Sequence, residues 1–314
     1  MRVCVAGAAG AFGMKHLDAL KNIEGVAVTS VVGGGPDDIE AFAKERGIGH
    51  WTKDLEESLA RDDVDAVILA TPTQVHAKQS IACMKAGKHV LVEIPMADNL
   101  ADSQEVARVQ KETGLVAMVD HVRRFNPSHQ WIHNRIKAGE LTVQQMDVQT
   151  YFFRRSNMNA LGKPRTWTDH LLWHHACHTV DLFQYQTGGP ATDAFGLQGP
   201  YHPELKIAMD MAIGLKAESG AICTLSLSFN NKGPLGTVFR YICDNGTYIA
   251  RYDDLFDGDD NPIDLSGVAA SNNGIELADR EFLTAIKEGR EPNSSVAQAL
   301  PAMETLDRIE RCFG

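Results

Sequence analysis

Apolar and polar positions repeat one alternation along the first 120 residues. Short apolar runs at Arg2–Ala6, Val26–Val32, Asp65–Ala70, His89–Glu93 and Leu115–Asp120 read as strands. Between them apolar residues fall at helical spacing around Asp37–Arg46, Leu55–Ala60, Gln74–Ala86 and Asn99–Thr113, the last opening after Asp98 as its cap. Strands that alternate with helices predict a parallel, doubly wound sheet with right-handed crossovers. A ligand then belongs beyond the carboxyl ends of the strands.

The pattern changes after Asp120. A short helix is expected over Pro127–Ala138, followed by period-2 runs at Met146–Arg154, Ile207–Lys216, Ala221–Phe229, Gly236–Cys243 and Thr247–Tyr252. Glycine and Asn245-Gly246 turns join them without intervening helices, which predicts a mostly antiparallel sheet with one open face. Helical spacing returns at Ile275–Glu288 and Val296–Phe313, where the tail is expected to pack back on the core. The chain thus divides into residues 1–120 and 121–314.

The first strand runs straight into Gly7-Ala8-Ala9-Gly10-Ala11-Phe12-Gly13 and then into an amphipathic segment, Met14 to Leu20. Strand, glycine turn and helix in that order form a cradle for a pyrophosphate, which would sit on the unpaired N–H groups of the helix start. Ala9 stands where the usual dinucleotide fingerprint has its second glycine, and Gly7, Gly10, Ala11 and Phe12 are the expected contacts. A carboxylate about 20 residues further on normally holds the ribose 2′-hydroxyl of NAD. Here Gly33-Gly34-Gly35-Pro36 follows the second strand, offering backbone N–H groups to a 2′-phosphate. Asp37 and Asp38 weigh the other way, so NADP is expected and NAD is the alternative. Two further strand ends face the same edge, Thr71-Pro72-Thr73 with His76, and Glu93-Ile94-Pro95, whose X-Pro bond is a candidate cis turn.

A net charge of −11 argues against nucleic acid or an anionic membrane as partner, and no apolar run is long enough to span a bilayer. Six cysteines without C-x-x-C spacing predict reduced, mostly buried thiols in a cytoplasmic protein. With the first strand starting at residue 2, no signal segment is expected.

The glycine turn, the A-T-P-T-x-x-H segment at 70–76, Glu93-Ile94-Pro95, Arg123-Arg124-Phe125-Asn126-Pro127 and His178-Thr179-Val180-Asp181 follow one another in a familiar order. Together they resemble the glucose–fructose oxidoreductase/inositol dehydrogenase/MocA (Gfo/Idh/MocA) family of nicotinamide-dependent oxidoreductases. The resemblance implies a Rossmann domain, a second α/β domain whose open sheet commonly forms an oligomer interface (here a homodimer), and hydride transfer at a carbinol carbon. It also implies two departures: Ile94 stands where the family usually has a lysine, and His174 where it usually has an aspartate.

His170, His174 and His178 are four apart, so in an α-helix they would share a face, with His175 beside them. A zinc reading lacks an acidic or thiol third ligand, and a purely structural histidine face is the plain alternative. Near-neutral imidazoles suit acid–base work, and His178, otherwise His174, is the expected base. Arg123 and Arg124, Arg154 and Arg155, and Lys163 and Arg165 concentrate positive charge in an acidic chain. The arginine pairs suggest carboxylate recognition, with Arg123, Arg124, Arg165 and His175 as the expected contacts and Trp167 as an apolar wall. The resemblance implies that this substrate is a small dicarboxylate. The alternatives are a sugar or inositol dehydrogenase and a dinucleotide-sensing regulator without catalysis.

Overall fold

The computed structural model describes residues 1–34, 38–158, 162, 164–165 and 167–313. Two compact units emerge. One combines residues 1–120 with 275–300; the other holds most of 121–274 and the chain from Pro301 onward.

The first unit is built on a six-stranded sheet: β1 (Arg2–Ala6), β2 (Ala27–Val32), β3 (Trp51–Thr52), β4 (Ala66–Leu69), β5 (His89–Val92) and β6 (Ala117–Val119). All pairings are parallel and the order is β3-β2-β1-β4-β5-β6. Val3 to Ala6 and Ala66 to Leu69 have no solvent exposure, as expected of strands covered on both faces. The helices are α1 (Ala11–Leu20), α2 (Ile39–Glu45), α3 (Leu55–Leu59), α4 (His76–Lys85) and α5 (Leu100–Thr113). The cap of α5 is Asn99 rather than Asp98: Asn99 is extended, and its Oδ1 accepts the Asp102 N–H at 2.8 Å. Two-residue β3 is too short for any periodicity to show. Beyond β6, Val119 and Ser294 exchange hydrogen bonds at 2.9 and 2.8 Å, closing that sheet edge.

The second unit carries β7 (Val143–Tyr151), β8 (Asp193–Gln198), β9 (Asp210–Lys216), β10 (Ile222–Ser228), β11 (Gly236–Cys243), β12 (Gly246–Arg251) and β13 (Asp254–Asp257). Their order is β13-β12-β11-β7-β10-β9-β8, and only β7 and β10 run parallel. Met146, Val148, Leu225, Phe239 and Tyr241 are buried on the inner face, which packs on α6 (Pro127–Lys137) and α7 (Cys177–Thr187). Gln149, Thr224 and Arg240 point to solvent on the other. The sequence pattern missed β8, whose alternation Gly196 breaks, and β13, four residues with charged ends.

α8 (Gly274–Glu288) belongs from Ile275 on to the first unit, and α9 (Val296–Glu310) enters the second unit at Pro301. All six cysteines are free and five are buried. Among the described residues no helix is long and apolar enough to cross a membrane.

Candidate active site

The carboxyl edge of the parallel sheet is shaped by close backbone approach. Gly7 has φ 76°, and a Cβ there would lie 2.2 Å from the Ala70 carbonyl oxygen; one at Gly13 would lie 2.3 Å from the Gly7 oxygen. Gly10 caps α1 without a side-chain hydrogen bond, and the first turn holds no acid. The first N–H groups of a helix lack intrahelical partners, so this end is an anion cradle that fits a pyrophosphate. Gly7→Ala is expected to weaken dinucleotide binding by about 100-fold or more, because turn and β4 must separate. Fluorescence titration with NAD(P)H measures it, and unchanged affinity would contradict the cradle.

At the end of β2, Gly33 donates its N–H to the Thr52 oxygen at 3.1 Å, so that group is committed to the sheet. Asp38 accepts the Ala41 N–H as the cap of α2. Gly34 stands open, whereas Gly35, Pro36 and Asp37 lie outside the described residues.

The two remaining strand ends are tied together by one side chain. Buried His76 lies 2.8 Å from the Pro95 oxygen through Nδ1 and 2.8 Å from the Thr71 oxygen through Nε2. Thr71 in turn donates to Gln79, and Pro72 leads into a short 3₁₀ turn over Thr73–Val75. The Ile94–Pro95 bond is cis. Glu93 accepts the Ile94 N–H and faces His16, a group the sequence reading passed over. The available signal was a histidine on the buried face of α1, which ordinarily reads as core.

In the second unit Arg124 is committed to Asp181, with Nε to Oδ2 at 2.8 Å and Nη2 to Oδ1 at 2.6 Å, both side chains buried. His121 Nδ1 stands 3.6 Å from the same carboxylate. Arg123 differs. It is 8% exposed, reaches Asn126 at 3.3 Å and lies over the Tyr252 ring, but among the described residues it has no ion pair, and its Nε has no partner. Close behind it, Tyr241 and His129 share a hydrogen bond of 2.7 Å in the core.

The histidine segment is not one α-helical face. Residues Leu171–Ala176 form a π-helix before α7, and His170 caps it by accepting the Leu172 N–H through Nδ1. His174 Nδ1 accepts the His170 N–H at 2.9 Å, which leaves its Nε2 as the protonated nitrogen, and its ring stacks on Trp167. His175 Nε2 lies 3.1 Å from Asp169, an acid the sequence reading did not single out. Arg154 and Arg165 bind Asp169 as well, so two guanidinium groups surround one carboxylate. Burial would raise the Asp169 pKa, but the His175 and Arg154 bonds outweigh it and hold the carboxyl far below its usual range. Arg155 is exposed over Phe153, and Lys163 lies outside the described residues.

His178 stands apart because, among the described residues, its ring makes no hydrogen bond and Nδ1 is sealed from solvent. Burial, then the Arg123 charge and the neighbouring histidines, hold its pKa well below the ordinary value, so the ring is a neutral imidazole at neutral pH.

Residues 1–121 match the model of the oxidoreductase family with an NAD-binding Rossmann fold, and residues 127–269 that of the bacterial oxidoreductase C-terminal domain. The chain belongs to the Gfo/Idh/MocA family. Among Gfo/Idh/MocA relatives it is 66% identical over 310 residues to 4-carboxy-2-hydroxymuconate-6-semialdehyde dehydrogenase of Sphingobium sp., covering 99% of this chain and 98% of that protein. A scyllo-inositol 2-dehydrogenase (NAD(+)) of Bacillus subtilis is 29% identical over 160 residues, half of this chain and 45% of that protein. Solved structures share the fold at lower identity. Levoglucosan dehydrogenase with NADH and levoglucosan aligns with TM-score 0.83 at 16% identity, over 99% of this chain and 96% of that one. An Agrobacterium radiobacter oxidoreductase with NAD+, L-tartaric acid and magnesium gives the same score, identity and coverage. As a Gfo/Idh/MocA member the chain is a nicotinamide-dependent oxidoreductase.

Proposed function

We propose that this protein oxidises the cyclic hemiacetal of 4-carboxy-2-hydroxymuconate-6-semialdehyde with NADP, giving 2-pyrone-4,6-dicarboxylate. The observation that carries the reading is the 66% identity over nearly the whole of both chains with the Sphingobium dehydrogenase of that substrate. The site chemistry supports it. Where the family usually has a lysine there is Ile94, which cannot exchange a proton, while His178 offers an unengaged neutral ring beside a buried cation, Arg123.

The bound dinucleotide would be held by the Gly7–Gly13 turn, the Thr71–Thr73 and Glu93–Pro95 loops and Gly34, and supplies the hydride acceptor. His178 takes the hemiacetal hydroxyl proton as the C–H pair leaves the same carbon, so the carbinol becomes the lactone carbonyl and one proton stays on the ring. Arg123 receives one substrate carboxylate. The second carboxylate meets Arg154 and Arg165, whose combined charge Asp169 only half offsets. His174, protonated at Nε2, serves as a donor to the substrate rather than as the base. Arg124 holds Asp181 and is a positioning residue. The NADP preference rests on Gly33 and Gly34 standing at the end of β2, where the sequence has no Asp or Glu, and on Asp38 being committed as a cap, with Asp37 outside the described residues.

The deciding assay mixes the protein with NADP or NAD and the ring-cleavage product of protocatechuate and follows nicotinamide reduction and pyrone formation. No reduction with this diacid, but turnover of inositol, would overturn the proposal. Arg123→Gln is expected to raise KM for the diacid about 100-fold, with dinucleotide affinity changed less than about twofold. Equal effects on both would place Arg123 at the cofactor.

A further inference from the structure

Behind the Glu93–Pro95 loop the first unit buries four titratable side chains against one another. His16 on α1 is fully enclosed; its Nδ1 lies 2.8 Å from Asp279 Oδ1 on α8, and its Nε2 lies 3.3 Å from Glu93 Oε1 and 3.7 Å from Asp120 Oδ2. Both ring nitrogens therefore face carboxyl oxygens, the arrangement of a doubly protonated imidazolium. Asp120 Oδ1 and Asp279 Oδ2 are buried without a hydrogen-bond partner, and among the described residues no lysine or arginine pairs with any of the three acids. Three ionised carboxyls around one cation would leave two net negative charges in the core, so a proton is shared among them. Asp279 and Glu93 stand 2.8 and 3.3 Å from the imidazole nitrogens and Asp120 3.7 Å, so Asp120 gains least from the cation and carries the proton. Burial raises both buried carboxyls, Asp120 further through the Glu93 charge, while the His16 charge and bond hold Asp279 back. What remains is one net negative charge, and Glu93 is the member that reaches the surface, with 13% of its side chain exposed.

Glu93 follows β5 directly, its N–H bonded to the Leu69 oxygen at the end of β4. The sheet order reverses between β1 and β4, so the Gly7 turn serves the pyrophosphate, β2 the adenosine side and the β4–β5 ends the nicotinamide side. We propose that the His16–Glu93–Asp120–Asp279 cluster selects the oxidation state of the dinucleotide, holding a fixed negative charge at the nicotinamide end that favours the cationic oxidised ring over the neutral reduced one. The inference rests on the dinucleotide reading above and adds to it a reason for reduced cofactor to leave. Once hydride has arrived the ring carries no charge, and the attraction to the cluster is lost. His16 and Asp279 are positioning residues here, since they act through Glu93.

The test titrates the full-length protein separately with the oxidised and reduced forms of whichever dinucleotide, NADP or NAD, binds more tightly. Glu93→Gln and Asp279→Asn are each expected to weaken oxidised cofactor about tenfold and reduced cofactor less than about twofold, collapsing the ratio of the two affinities. Asp120→Asn, which puts a neutral isostere where the proton resides, keeps the ratio within about twofold of wild type. A purely structural cluster would shift both forms together. Half-buried Glu93→Gln decides the matter if Asp279→Asn does not fold. An unchanged ratio overturns the inference alone, whereas wild-type protein that binds neither form overturns the dinucleotide reading and the inference with it. His16, Glu93 and Asp120 offer ligand atoms within 4.8 Å of one another, so elemental analysis of the purified protein belongs to the test, and a stoichiometric divalent metal would also overturn the charge assignment.

Discussion

Replacing His178 by alanine is expected to lower kcat by about 10²- to 10⁴-fold, the range for loss of a general base, while dinucleotide affinity stays within about twofold. The neighbouring imidazoles are engaged in ways that keep them from the same task. His170 and His174 each use Nδ1 to accept a main-chain N–H, and His175 is bound to Asp169. His178 alone of the four makes no hydrogen bond among the described residues. Its pKa lies well below the ordinary value, chiefly through burial and then through the Arg123 charge. The sign follows from that direction. The neutral ring is the active base, so activity persists as pH falls through the usual histidine range and is lost only as the ring protonates below it. A bound dianion would offset the Arg123 charge and raise the His178 pKa. The acid limb of kcat, which reports the complex, should then lie at higher pH than the acid limb of kcat/KM, which reports free enzyme. Steady-state kinetics across pH measure both limbs. Near-normal turnover in the alanine variant, or two coincident limbs in the wild type, would remove His178 from proton transfer.

Elements whose burial follows one simple rule were legible in the sequence. Strands enclosed on both faces must be apolar throughout, so β1 and β4 stood out within a residue or so of their ends, and Gly7 and Gly13 mark places where no side chain fits. For the candidate site the sequence offered residue types but not their pairings. Arg123 and Arg124 are adjacent and chemically identical, yet one grips both oxygens of Asp181 through Nε and Nη2, whereas the other makes no ion pair among the described residues. The difference depends on an acid 57 residues away and on the turn that aims each side chain. The histidine spacing misled for a related reason. A π-helix changes the angular step between residues, and hydrophobic periodicity does not distinguish it from an α-helix over six residues. The His16 cluster was illegible because its members lie on α1, just beyond β5, just beyond β6 and on α8, and only the fold gathers them.

Arg124→Ala is expected to destabilise the protein by about 3–5 kcal/mol, a larger loss than any surface substitution would cause. Both partners of the Arg124–Asp181 pair are buried, and the guanidinium supplies two parallel bonds, so removing it strands an ionised carboxylate in the core, with His121 3.6 Å away. Arg124→Lys should recover little, because an ammonium cannot grip both oxygens. Removing both charges, as in Arg124→Met with Asp181→Leu, should restore much of the loss, since the pair as a whole offsets a large desolvation cost. The pH dependence gives an independent check. Burial alone would raise the Asp181 pKa, but the Arg124 charge and then His121 bring it below the ordinary carboxylate value. A depressed folded-state pKa contributes stability that is present above the unfolded value and lost as pH falls through the folded one. Without Arg124 the sign reverses, because buried Asp181 then takes up a proton more readily than it does in the unfolded chain. The gap between wild type and Arg124→Ala should therefore narrow as pH falls from neutrality toward the carboxylate range, which urea unfolding at several pH values would measure. A variant as stable as wild type, with KM for the diacid raised instead, would return Arg124 to the substrate and leave Asp181 without its counter-ion role.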